Sequence, residues 1–207
     1  MTNDNSASKS TKGPVLTRRE MTMLLGVGLV GSAVAVAMES PAAKPPQPAQ
    51  PMVRPPEDLL SASLAEQAAA MDRGEVSSQE LVAAYLSRIE AVNPALNAVV
   101  RLDAERALAA AANADEMRRK HHGNLPLLGI PMTLKDSIDS AGVVTTYGTQ
   151  GRSGFVPEAD ATVAARLRGA GAILLGKTNT PELTLSFETD NLVYGQTRNP
   201  FDPARSP

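Results

Sequence analysis

The chain has 207 residues, 43% hydrophobic and 20% charged, a composition suited to a globular protein with one core or two small ones. A formal charge of −2 offers no basic excess for nucleic acid, and three Phe, three Tyr and no Trp are too few for a base-stacking platform. The absence of Cys excludes disulfides, Cys-ligated zinc, iron–sulfur clusters and thiol catalysis.

Residues 1–37 have the order of an export signal. A polar stretch with Lys9 and Lys12 leads into Thr17-Arg18-Arg19-Glu20-Met21 and then an apolar run ending near Met38. The adjacent Arg18 and Arg19 resemble a twin-arginine signal, and Gly26, Gly28 and Gly31 keep the run only moderately hydrophobic, as such signals tend to be. Ala35-Val36-Ala37 offers small residues for cleavage before Met38, so the expected location is the bacterial periplasm, reached with the twin-arginine export machinery. The alternative is an uncleaved membrane anchor, because the 18 residues from Met21 to Met38 could just span a bilayer. Residues 38–57 form a linker: seven of the 16 Pro fall between Pro41 and Pro56, which predicts an extended polyproline-like spacer.

Residues 58–207 show globular patterning. Ser63-Leu64-Ala65-Glu66 predicts a capping box and a helix stopping at Gly74. Ser77-Ser78-Gln79-Glu80 predicts another, with Leu81, Val82, Tyr85, Leu86, Ile89 and Val92 at helical spacing until Pro94 ends it. Ala98 to Leu102 reads as a strand, Asp103 as the cap of an Ala-rich helix to about Arg119, and His121 and His122 as solvated loop residues without the further ligands a metal needs. Leu127 to Leu134 predicts a buried strand ending at Lys135-Asp136. Asp160 is expected to cap a helix through Gly169, Ala172 to Leu175 to form a strand, and Pro181 to start another helix. Strand, helix, strand order argues for an α/β fold with a largely parallel, mixed sheet and helices on both faces.

Gly171 to Thr178 (GAILLGKT) matches the letters of a phosphate-binding P-loop, with Lys177 as its lysine. The context is wrong, because a helix precedes the first Gly, the intervening residues are themselves a strand, and Asn179-Thr180-Pro181 stands where a helix should open. Nucleotide binding is therefore a minor alternative, and Lys177 is expected to be structural or solvated.

The segment Gly129-Ile130-Pro131-Met132-Thr133-Leu134-Lys135-Asp136-Ser137-Ile138 resembles the lysine-bearing strand of the amidase signature family of hydrolases. The resemblance continues in register through Thr146-Tyr147-Gly148-Thr149, Asp160-Ala161-Thr162-Val163, Gly176-Lys177-Thr178-Asn179-Thr180-Pro181-Glu182 and Gly195-Gln196-Thr197-Arg198-Asn199-Pro200. It implies hydrolysis of a small-molecule amide by a Ser, cis-Ser, Lys triad, with Lys135 as the lysine and no metal or organic cofactor. A lysine doing this work must reach the neutral amine, and lowering a lysine pKa from about 10.4 to near 7 takes about 4 kcal/mol of burial and hydrogen bonding. Strand alternation turns Asp136 away from Lys135, so Asp136 is expected to fix the following turn instead.

The family's Gly/Ser-rich segment, which bears both serines, has no counterpart here: no Gly-Gly-Ser-Ser run occurs, and Ser137, Ser153, Ser186 and Ser206 match neither serine. The expectation is an N-terminal portion of the catalytic domain, with no turnover alone and poor solubility until completed. The remaining alternative is a shortened binding or scaffold protein without catalysis.

Overall fold

The computed structural model describes residues 54–120 and 125–207, which lie in the unit Pro48–Pro207. The export signal, most of the proline linker and the His121-His122 pair lie outside the described residues.

Both predicted capping boxes form. The Ser63 hydroxyl accepts from the Glu66 N–H at 3.3 Å while Glu66 accepts the Ser63 N–H at 2.8 Å, opening helix α1 (Leu64–Asp72). Ser77 and Glu80 repeat the exchange at 3.1 and 2.8 Å to open α2 (Ser78–Leu96). Asp115 of the third helix adds a second cap to α2, accepting from the Ser78 and Gln79 N–H groups at 2.7 and 3.1 Å.

Pro94 does not end α2, which runs two residues further to Leu96 before Asn97 turns left-handed with φ 53°. Proline removes its own N–H bond and crowds the carbonyl four residues back, a cost met here near the end of the helix. Asn93 offsets this loss by donating to the Val99 carbonyl at 2.7 Å and accepting from the Ala98 and Val99 N–H groups, both at 2.8 Å.

Strand β1 (Val99–Leu102) leads to α3 (Ala104–Arg119), at whose start Asp103 makes no capping bond and binds Arg106 instead. Strand β2 (Pro131–Lys135), helix α4 (Thr162–Gly169) and strand β3 (Ile173–Thr178) complete the regular elements. Asp160 does not cap α4; its carboxylate accepts the Ala141 N–H at 2.7 Å and pairs with Arg168, tying a distant loop to the helix. After Pro181 there is only a single 3-10 turn, Glu182–Thr184, in place of the expected helix. The Leu183 N–H donates sideways to the Tyr147 carbonyl at 2.8 Å, and Leu183 and Thr184 take φ of 50° and 63°, which no helix continues.

The sheet order is β1-β3-β2, with β2 parallel and β1 antiparallel to the central β3, so the sheet is mixed. Ile173 and Leu175 pack against Val82 of α2 and Ala107, Ala111 and Ala114 of α3, whose small side chains let the helix come close. Leu174 faces the other way, against Leu134, Val143 and Ala164. Helices thus cover both faces. Leu81 and Val82 are fully buried, each contributing roughly 1.5–3 kcal/mol of transfer free energy.

The pairing of β2 with β3 is interrupted at one point. Leu174 and Gly176 pair with the consecutive residues Met132 and Thr133, so Leu175 is an extra residue, a β-bulge. The bulge shifts the alternation so that Lys177 stands opposite Leu134, on the α4 face.

Candidate active site

Lys135 ends β2 with Thr178 as its Cα partner, at the carboxyl end of the parallel pair, the edge where open α/β sheets present their ligands. Its backbone is held from both sides. The Ile138 N–H donates to the Lys135 carbonyl at 2.9 Å, and the Asp136 N–H donates to the Thr178 carbonyl at 2.8 Å. The side chain is half-buried, on the sheet face opposite Leu134, and among the described residues it enters no ion pair.

Lys177 is fully buried, so the solvated alternative for it does not hold. Its ammonium donates to the Ile138 carbonyl, to Ser140 Oγ at 3.3 Å and to Thr145 Oγ1 at 3.2 Å. Burial pulls its pKa down to about 8 against the opposing attraction of Asp136 and Asp139. This is also why the P-loop reading fails: the lysine is consumed inside the sheet-helix layer, and no helix opens after it.

Asp136 is fully buried as well. Its Oδ2 accepts from the Thr146 N–H at 3.0 Å and the Thr146 hydroxyl at 2.5 Å, so it anchors a loop ten residues on, beyond the immediate turn. Its Oδ1 has no hydrogen-bond partner among the described residues. Burial raises its pKa, opposed by the two Thr146 hydrogen bonds and by Lys177. As the alternation required, Lys177, the cation whose charge acts on it, lies on the far face from Lys135.

Beyond β3, Asn179 donates to the Gly195 carbonyl at 2.9 Å and Thr197 Oγ1 at 3.0 Å, and accepts from the Thr180 N–H at 3.0 Å and Asn191 Nδ2 at 2.8 Å. Asn179 thereby laces the segment around Asn191 to Thr197 onto the strand ends beside Lys135. Glu182 is exposed in the 3-10 turn. Tyr147, with φ 56°, and Phe155 enclose the Arg152 guanidinium, 4.2 and 4.0 Å from the two ring centres.

Sequence reasoning thus located Lys135 at a strand end but did not foresee the Lys177, Asp136, Ser140, Thr145 and Thr146 cluster behind it. The available signal was Gly176, since a glycine inside a strand pattern points to a bulge or a close backbone approach. Ser137 is half-buried, and Ser153 and Ser186 are exposed. Among the described residues no three His, Cys, Asp or Glu side chains converge on a possible metal position.

A peptide amidase from Stenotrophomonas maltophilia superposes with a TM-score of 0.67 at 39% identity, covering 72% of this chain and 32% of that one. Over 150 residues the chain is 39% identical to a glutamyl-tRNA(Gln) amidotransferase subunit of Streptomyces coelicolor, covering 72% of this chain and 30% of the relative. Over 173 residues it is 40% identical to fatty-acid amide hydrolase 2-B of Danio rerio, covering 80% of this chain and 32% of the relative. The chain therefore spans about a third of the length of the curated relatives it matches. The family model described as Amidase matches residues 80–207, more than half of the chain, and with the shared α/β fold it establishes that this chain belongs to the amidase family.

Proposed function

We propose that this chain supplies the general base of a hydrolase of carbon–nitrogen amide bonds, and that Lys135 is that base. The observation that carries it is the position of Lys135: half-buried at the carboxyl end of β2, beside β3, with no carboxylate among the described residues paired to it. In the proposed reaction a nucleophilic serine attacks the amide carbonyl. Its proton passes to a second serine, whose own proton passes to the neutral Lys135 amine. The protonated relay then returns a proton to the leaving amine, and water hydrolyses the acyl-enzyme by the same route. Both serines are taken from a Gly/Ser-rich segment, which the 207 residues do not contain.

The relatives differ in what their names declare: one is a peptide amidase, one a fatty-acid amide hydrolase and one an amidotransferase component. The substrate class proposed is accordingly a small amide without further restriction. The twin-arginine-like residues 1–37 are proposed to direct export to the periplasm, supported by the Arg18-Arg19 pair and the glycine-interrupted apolar run.

Two experiments test these readings. The chain joined to the remaining part of a related amidase, the Gly/Ser-rich segment included, is assayed on aryl and peptide amides, as wild type and as Lys135→Ala. Turnover that Lys135→Ala abolishes supports the base; turnover that survives it refutes the base. Residues 1–40 fused to a reporter should be exported with Arg18-Arg19 intact and retained when both are changed to Lys; equal export of both forms would remove the twin-arginine reading.

A further inference from the structure

The buried charges behind Lys135 have no part in the proton relay, yet they close on the backbone of the residue that performs it. We propose that Lys177 and Asp136 are positioning residues: two buried charges of opposite sign, each bonded to a different part of the Asp136–Gly148 loop, that fix this loop and thereby set the place of the Lys135 amine. The inference rests on the reading of Lys135 as the base.

Ile138 is the connecting residue. Its N–H closes a turn on the Lys135 carbonyl at 2.9 Å, and its own carbonyl accepts from Lys177 Nζ. Lys177 therefore holds the far side of the turn that Lys135 begins. Asp136 holds the other end of the loop, binding Thr146 through both N–H and hydroxyl, while its backbone carbonyl accepts the Tyr147 N–H at 3.3 Å and its N–H reaches Thr178. Ser140 and Thr145, between these ends, both accept from the Lys177 ammonium. One cation and one carboxylate thus hold the two ends of the loop, while Asp160, Arg106 and Arg152 hold its middle at Ala141, Gly142 and Asp139. The charged groups around Lys177 are Asp136, Asp139 and Asp160 against Arg168, so the cation is the hub of an otherwise acidic surround.

The position of this hub comes from the bulge at Leu175. With regular alternation Lys177 would lie on the same face as Lys135, where two amines would repel each other; the extra residue moves it beneath the sheet. Burying charges this way is costly unless their donors and lone pairs are satisfied; three acceptors satisfy the ammonium, while Asp136 Oδ1 is left without a partner among the described residues.

The test uses the full chain as wild type, Lys177→Met, Asp136→Asn and the milder Thr145→Val, which removes one acceptor of Lys177 together with the hydroxyl's own bond to the Val143 carbonyl and keeps the proposal falsifiable should Lys177→Met not fold. Hydrogen exchange is followed across residues 137–149 and across α1, and acetylation at Lys135 is compared with acetylation at exposed Lys120. The expected result is at least tenfold faster exchange in 137–149 with α1 unchanged, and at least threefold faster acetylation at Lys135 relative to Lys120. In the chain completed with the remaining part of a related amidase, the variants should lower kcat with KM held and move the acid limb of the pH–rate profile. Unchanged exchange and acetylation in Thr145→Val and Lys177→Met would overturn the proposal, as would loss of protection spread equally to α1. If the completed chain hydrolyses amides without needing Lys135 while the loop effects persist, the base assignment fails separately.

Discussion

The carbonyl oxygen of Arg101 lies 2.0 Å from the place a Cβ on Gly176 would occupy. No side chain fits between β1 and β3 at this point, because the obstructing atom is backbone and cannot rotate away. Gly176→Ala is therefore expected to separate the two strands, costing about 3 kcal/mol or more by overpacking. A denaturant midpoint equal to that of wild type would show that β1 does not pair with β3 as described.

The interhelical cap makes a second prediction. Asp115→Ala removes the acceptor for two N–H groups at the start of α2 and the 3.5 Å pairing with Arg118. A cost of about 2 kcal/mol is expected, at the upper end of the range for lost caps because the Ser78 donor is partly buried. Urea denaturation checks it, with Asp115→Asn expected to recover roughly half.

Asn179→Ala is expected to release the segment from Asn191 to Thr197, since it breaks four hydrogen bonds at a buried position. Several orphaned partners at about 1 kcal/mol each amount to about 3 kcal/mol, concentrated in that segment. Hydrogen exchange across 189–197 should accelerate more than a hundredfold while α1 keeps its protection.

Lys177 gives a pH dependence of unusual sign. Its pKa falls from the ordinary 10.5 when unfolded to about 8 when folded, so between these values the unfolded chain binds more protons. Stability from this group must therefore rise with pH across the window from about 8 to 10.5 and be flat below it. The rise should be absent in Lys177→Met, and a difference curve between the two proteins that falls across the same window would contradict the burial argument.

Lys135→Ala should separate function from fold. The side chain is half-buried and enters no ion pair among the described residues, so its removal is expected to change stability by about 0.5 kcal/mol or less. Loss of the proposed general base in the completed enzyme should lower kcat by a factor of about 10³ or more. Circular dichroism melts and amide turnover measured on the same preparations check both halves.

Much of the fold was legible in local chemistry. Ser63 with Glu66 and Ser77 with Glu80 form their capping boxes because each needs only residues three apart, and the α2 stripe of Leu81, Val82, Tyr85, Leu86 and Ile89 packs as its spacing requires. Lys135 was placed at a strand end by the same kind of signal. Tertiary structure decided the rest, through partners distant in sequence. Pro94 stays helical because Asn93 secures the chain beyond it. The turn after Pro181 is bent away by the carbonyl of Tyr147. Asp160 leaves α4 uncapped because the Ala141 N–H claims its carboxylate. Above all, the local sequence orders Lys177 after an apolar strand, but its burial depends on a register shift against Met132 and Thr133 and on acceptors at Ile138, Ser140 and Thr145. Those acceptors are brought to the lysine only when β2 and β3 pair, since a strand's own sequence specifies its alternation and its neighbour specifies where that alternation slips.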